Sequence, residues 1–275
     1  MLRSLVGSEM CIRDSQMPDL DRAAELIRSC WNEGNTIEYV KGNLWPDTAE
    51  EGYSIQAQLA WLRREPVVGW KIAATAVAGR SHINVDRPMA GRLFKSICHE
   101  DGAEVEFGRN RMAVAEAEFV FTLGSDLPAR DSAYSEEEVA GSIQSIHPGL
   151  ELPDSRFRDF TLPGTAGLIA DNACAANFVL GQATSIDFDL RTLANHETSL
   201  FVNDEEVTRG RGDDVLEGPL SAMTWIANTL SDIGVGLEAG QFVTTGVTGK
   251  PMPVKQGDHV RADLGKYGSV SVLLT

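Results

Sequence analysis

The chain has 275 residues, 43% of them hydrophobic, with 26 glycines. It can bury a sizeable core, as one large domain or a small one joined to a larger, without disulfides or a metal to hold it together. Lys and Arg number 24 against 40 Asp and Glu, a net charge of −16, and such a surface disfavours nucleic acid and anionic membrane because phosphate contacts need clustered cations.

Residues 1–15, MLRSLVGSEMCIRDS, contain Arg3 but neither an adequate apolar stretch nor a small-residue cleavage site, so they do not read as a secretory signal. They resemble translated adapter sequence and are expected to be a non-native leader outside the fold. Asp19 is placed to cap a helix running to about Asn32, with Leu20, Ala24, Ile27 and Trp31 on one face and Gly34 ending it. Thr48 and Glu51 have capping-box spacing; Ile55, Leu59 and Leu62 follow at helical intervals, and Pro66 stops the run. Residues 16–65 therefore read as an N-terminal helical segment.

After residue 66 the pattern changes. Residues 67–74, 113–123, 177–181, 199–202, 241–245, 258–264 and 269–274 are short β-branched or alternating runs punctuated by Gly, Pro and Asn. Two helices interrupt them. One follows the capping-box pair Ser135 and Glu138 to about His147; the other starts at Pro219 and runs through Leu220, Met223, Ile226, Ala227 and Leu230 to Gly234. The strands do not alternate regularly with helices, which argues for an α+β chain whose residues 66–275 form a mixed β-roll rather than a doubly wound sheet. Cys11, Cys30, Cys98 and Cys174 show no CxxC pair and read as reduced thiols of a cytoplasmic protein. No apolar run approaches the roughly 20 residues of a membrane span.

The strongest local signal is Ala115-Glu116-Ala117-Glu118-Phe119-Val120-Phe121. In a strand, Glu116 and Glu118 share one face while Ala115, Ala117 and Phe119 share the other. Two carboxylates so placed repel unless a proton or cation lies between them, and Mg²⁺ or Mn²⁺ suits such oxygen ligands. For the pair alone, a solvated strand face is the commoner outcome. Glu151, in Pro148-Gly149-Leu150-Glu151-Leu152-Pro153, is the natural third ligand, though by itself it reads as a loop residue after a helix.

Lys71 lies in the apolar run Val67-Val68-Gly69-Trp70-Lys71-Ile72-Ala73 and is expensive to bury unpartnered. It can anchor a substrate carboxylate or move protons, or lie on an edge strand or snorkel to solvent. Thr244-Thr245-Gly246-Val247-Thr248-Gly249 can form an anion-binding nest or be a plain glycine turn. His82, His99, His147, His196 and His259 make no HxH or HExxH spacing, which disfavours a zinc hydrolase; GxSxG and GxxxxGK[ST] are absent.

In their order and spacing, GWKIAAT (69–75), GRLF (91–94), AEAEFVF (115–121), GLELPDSRFRDF (149–160), ADNACAANFVLG (170–181), GPLSAMTWIANTL (218–230) and QFVTTG (241–246) resemble the 2-keto-4-pentenoate hydratase/4-oxalocrotonate decarboxylase family. That family lies within the fumarylacetoacetate-hydrolase-like superfamily. The resemblance covers nearly the whole chain from about residue 18. It implies a helical N-terminal part, a mixed β-sandwich or roll of the fumarylacetoacetate-hydrolase C-terminal-domain type, and homo-oligomeric assembly.

It further implies a Mg²⁺ or Mn²⁺ site of Glu116, Glu118 and Glu151, catalytic roles for Lys71 and Asp86, and substrate contacts from Lys71, Arg156, Asp171, Thr245 and Gly246. Arg156 and Asp171 equally suit a structural ion pair. The activity implied is metal-dependent addition of water to a 2-hydroxy-2,4-dienoate in aromatic-compound catabolism. The alternatives are decarboxylation of a 2-oxo-3-enedioate, or a non-catalytic metal-binding paralogue. Acylpyruvate hydrolysis is expected to use a His–Glu pair, and none can be placed. One departure stands out: the pattern often has an acidic residue shortly before Gly91 where this chain has Met89, while Asp86 is kept.

Overall fold

The computed structural model describes residues 19–42 and 44–275, so the expected leader and Cys11 lie outside the described residues. Helix α1 (Leu20–Glu33) is capped by the Asp19 side chain and ends at Gly34, whose φ of 67° is the left-handed conformation of a C-terminal stop. Helix α2 (Ala49–Arg63) opens with the expected capping box of Thr48 and Glu51. These helices share one buried core with the strands that follow: Ala24, Ile27, Ile55 and Leu59 belong to the same apolar cluster as Ile72, Phe119 and Leu150.

The strands and remaining helices follow as β1 (Val67–Ala73), α3 (Val77–His82), β2 (Met89–Phe94), β3 (Cys98–Glu100), β4 (Ala103–Val105), β5 (Val114–Leu123), α4 (Glu136–Ser142), β6 (Ile143–Leu152), α5 (Gly164–Ala170), β7 (Asn177–Leu180), β8 (Thr184–Ser185), β9 (Glu197–Val202), β10 (Glu205–Arg211), α6 (Pro219–Asp232), β11 (Phe242–Val247), β12 (Met252–Pro253), β13 (His259–Asp263) and β14 (Ser269–Leu274). They build two sheets. The larger has the order β2-β1-β11-β5-β6-β7-β3, with β12 against β5 and β8 against β6; the smaller is β10-β9-β13-β14-β4. Parallel pairs (β1 with β11, β3 with β7, β4 with β14) mix with antiparallel ones, so the α+β mixed β-roll is the architecture observed.

Two expectations need correction. The helix after Ser135 stops at Ser142, not near His147, and Ile143–Leu152 is a central strand between β5 and β7. Pro148 hid that strand, because proline gives the ladder no N–H and usually marks an edge or a break. Glu151 is therefore a strand residue, directly opposite Glu116 on β5. Lys71 is likewise not on an edge: β1 lies between β2 and β11, and the lysine is 3% exposed. Among the described residues no helix is long and apolar enough to cross a membrane.

Candidate active site

Strand alternation points Glu116 and Glu118 the same way, and the β5–β6 register sets Glu151 across from Glu116. The result is a cluster in which one carboxylate oxygen from each residue lies within 4.8 Å of the others. Glu118 and Glu151 are 0% and 1% exposed, and Glu116 is half-buried at the cavity wall. Desolvation pushes the Glu116 carboxyl up to about 8, with Glu151 adding to the effect. Desolvation, then Glu151 and Glu116, holds Glu118 well above the ordinary carboxylate range. Three buried acids this close need cations or protons.

Part of the compensation is built in. Lys71 Nζ pairs with Glu151 Oε1 at 2.8 Å and donates to the Ala173 carbonyl at 2.9 Å. Burial alone would lower its pKa, but the Glu151 and Glu116 carboxylates outweigh that and hold it above the ordinary value. Glu118 Oε2 accepts from the Thr244 hydroxyl and from Gly246 N–H, the latter at 2.8 Å. The second contact needs the irregularity in β11 between Thr244 and Val247, where Gly246 takes φ of 104°.

Glu118 Oε1 and Glu151 Oε2 are buried with no hydrogen-bond partner among the described residues. Unpartnered carboxylate oxygens in an all-oxygen cluster are the donors a hard divalent cation takes, so the residues present fit Mg²⁺ or Mn²⁺.

A cavity of roughly 210 Å³ opens onto Lys71 and Glu116. Thr75, His82, Met112 and Phe160 also line it, and of the three clustered acids Glu116 is the one at its wall. Its wall beyond the charged end is mainly apolar, through residues such as Ile72, Ile83 and Val247, and Lys250 stands exposed among its lining residues.

The remaining expected residues are placed elsewhere. Thr245 is fully buried and its hydroxyl donates to the Phe119 carbonyl at 3.1 Å, so neither it nor the Gly246 N–H is a free anion nest. Arg156 and Asp171 form a buried ion pair at 2.5 Å, with Arg156 stacked over Trp31. Asp86 is exposed, bound to Arg87 and to the Thr165 hydroxyl, and is not among the cavity-lining residues. Met89 is fully buried in the core.

Reading the residues alone named Thr244 only as part of a candidate nest and missed the bond from its hydroxyl to Glu118. It also missed the turn at 172–174. Asn172, Ala173 and Cys174 all take positive φ, at 55°, 51° and 61°. A run of three such non-glycine residues is costly, at roughly 1–2 kcal/mol each, and persists only where neighbours force it. Here the Asn172 side chain accepts from Arg92 N–H and donates to its carbonyl, and Arg156 bonds the carbonyls of Asp171 and Ala175. What the turn delivers is the Ala173 carbonyl, aimed at Lys71.

The fumarylacetoacetate (FAA) hydrolase C-terminal family model matches residues 43–273. "2-keto-4-pentenoate hydratase 1" of Dechloromonas aromatica is 31% identical over 258 residues, covering 92% of this chain and 96% of that one. "2-hydroxyhexa-2,4-dienoate hydratase" of Comamonas testosteroni is 30% identical over 259 residues, 92% and 95% of the two chains. A solved structure, 4-oxalocrotonate decarboxylase from Pseudomonas putida G7 complexed with magnesium and adipate, superposes with a TM-score of 0.83 at 26% identity over 93% of this chain and 97% of that one.

Proposed function

The chain belongs to the fumarylacetoacetate hydrolase family, and from that premise we propose that it is a metal-dependent hydro-lyase adding water to a 2-hydroxy-2,4-dienoate to give a 4-hydroxy-2-oxo acid. The observation that carries the reading is the buried cluster of Glu116, Glu118 and Glu151 with two unpartnered oxygens, beside Lys71 at the end of an otherwise apolar cavity. These three residues would hold Mg²⁺ or Mn²⁺, whose chemistry there is Lewis-acid polarisation of a 2-oxo or 2-enol oxygen.

The protein's own groups do the rest. Lys71 has three N–H donors, and Glu151 and Ala173 occupy two of them. The third is available to hold the substrate carboxylate or pass a proton. The apolar wall at Ile72, Ile83, Met112 and Phe160 suits the hydrocarbon end of a mono-acid and limits the water around it. In the reaction, the enol proton leaves and C5 gains one, giving a 2-oxo-3-enoate to which one water adds at C4. Homo-oligomeric assembly and a cytoplasmic location are part of the same proposal.

A second reading has its own observation. His82 and Lys250 also line the cavity, and either could meet the far carboxylate of a 2-oxo-3-enedioate. The same site would then drive loss of CO₂. Supplying 2-hydroxypenta-2,4-dienoate and 4-oxalocrotonate separately, with products identified by mass, distinguishes the two. A gain of one water from the mono-acid is the expected result. Loss of CO₂ from the di-acid, with the mono-acid untouched, would move the protein to the decarboxylase reading.

A further inference from the structure

Thr75 is 4% exposed, yet its hydroxyl has no hydrogen-bond partner among the described residues. Buried hydroxyls are rarely left so, and an exception beside a reactive cluster asks what its missing partner is. Local structure has gone out of its way to put the group there. Ala74, just before it, takes a left-handed φ of 60°, unusual for a residue with a Cβ, and turns the chain as it leaves β1. Gly246 makes room: a Cβ at that position would stand 2.5 Å from Thr75 Oγ1. The hydroxyl therefore lies over the bulge whose N–H holds Glu118, in a residue that lines the same cavity as Lys71 and Glu116.

We propose that the Thr75 hydroxyl is a substrate-contacting catalytic group, donating a hydrogen bond to the C1 carboxylate or C2 oxygen of a small 2-oxo acid held beside Lys71. The inference rests on the reading of the cavity given above and adds a group to it. A neutral hydroxyl suits the position, because the acids nearby already crowd it with negative charge while the substrate's oxygens are acceptors. As negative charge grows on the C2 oxygen, a donor fixed in advance strengthens its bond, which accelerates the chemical step as well as aiding binding.

The test compares Thr75→Val, nearly the same shape without the hydroxyl, with Thr75→Ser, which keeps it. Four quantities are read: Mn²⁺ affinity, oxalate affinity of the Mn²⁺-loaded protein by calorimetry, kcat/KM on 2-hydroxypenta-2,4-dienoate, and the melting temperature without ligand. Thr75→Val is expected to lose about 10- to 100-fold in oxalate affinity and in kcat/KM, the range for a hydrogen bond to a charged group. Thr75→Ser should stay within about fivefold of wild type, and Mn²⁺ affinity should be unchanged in both.

The ligand-free Val variant should melt no lower than wild type, since the change removes an unsatisfied buried group. Wild-type behaviour of Thr75→Val, an equal loss in Thr75→Ser, or a lower melting temperature for Thr75→Val would each overturn the proposal, the last two by assigning the residue a packing role. A wild-type protein that takes up no Mn²⁺ fails at the carboxylate cluster instead, and the Thr75 assignment falls with it. If Mn²⁺ and oxalate bind but the dienoate is not turned over, the oxalate comparison still decides.

Discussion

Lys71 is held between a carboxylate and a carbonyl, and the two contacts have different consequences when the lysine is removed. Lys71→Met keeps the length and the apolar stem but deletes the charge. Glu151 is then left buried without its cation, so the metal-free protein should lose about 3–5 kcal/mol, the usual cost of breaking a buried pair from one side. The same deletion makes the carboxylate cluster more negative, so Mn²⁺ should bind as tightly or more tightly while turnover is lost. Calorimetry and a turnover assay on the same preparation check both signs. A variant whose metal affinity fell along with its activity would mean that Lys71 serves to shape the cluster rather than to act on substrate.

At the scale of elements, the site depends on two irregularities laid against regular strands: the bulge in β11 and the left-handed turn at 172–174. Gly91 on β2 shows how closely that turn is seated, because a Cβ there would collide with the Asn172 carbonyl. Asn172→Ala removes both side-chain bonds to Arg92 and a residue type that tolerates left-handed backbone. It should cost about 2 kcal/mol in denaturant melts and lower kcat more than it raises KM, because the Ala173 carbonyl would no longer hold Lys71 in place. An unchanged kcat in a destabilised protein would reduce the turn to scaffolding.

Gly246 marked a turn at the first of these irregularities, though not its contact with Glu118, and the second left no mark in the residues. Asn-Ala-Cys carries no glycine to announce positive φ, and these angles exist only because Arg92 and Arg156 impose them across the fold. The helix caps at Asp19, Thr48 and Ser135 were legible because each is a local hydrogen bond between residues a few positions apart. The pairing of Glu116 with Glu118 was legible from strand alternation alone. The strand under Glu151 was not, since Pro148 disguised it: the residue was offered as a third carboxylate but read as a loop position, and the resemblance of the surrounding segment gave it weight. Cavity walls from α3 and Phe160 depend on long-range packing that has no local pattern.

For the whole molecule, the acid cluster makes stability depend on pH in an unusual direction. Glu116 titrates near 8 and Glu118 well above its ordinary value of 4.5 in the metal-free fold, chiefly through desolvation. Between the unfolded value near 4.5 and those raised values, the native state binds more protons than the unfolded one. The stability these two groups contribute is therefore fully present below the unfolded pKa and is lost as pH rises through about 8. Melting temperatures in EDTA should fall across that window. Added Mn²⁺ should offset the fall increasingly as pH rises, because the cation competes with protons for the same oxygens. The variant Glu116→Gln should flatten the slope in EDTA. A metal-free melting temperature that climbed steadily over the same range would contradict the burial of these acids.

The central claim is that Glu116, Glu118 and Glu151 form a cation-dependent centre for hydration of a 2-hydroxy-2,4-dienoate, and it is tested most directly by following freshly generated 2-hydroxypenta-2,4-dienoate in the ultraviolet. Wild type would be assayed with EDTA, then with Mg²⁺ or Mn²⁺ restored, beside Glu118→Gln. The account predicts silence in EDTA, recovery with either cation, and a product heavier by one water. It also predicts at least a roughly 10- to 100-fold loss of metal affinity in Glu118→Gln with the fold intact. Turnover that persists in EDTA, or a Glu118→Gln variant with full metal binding, would contradict it.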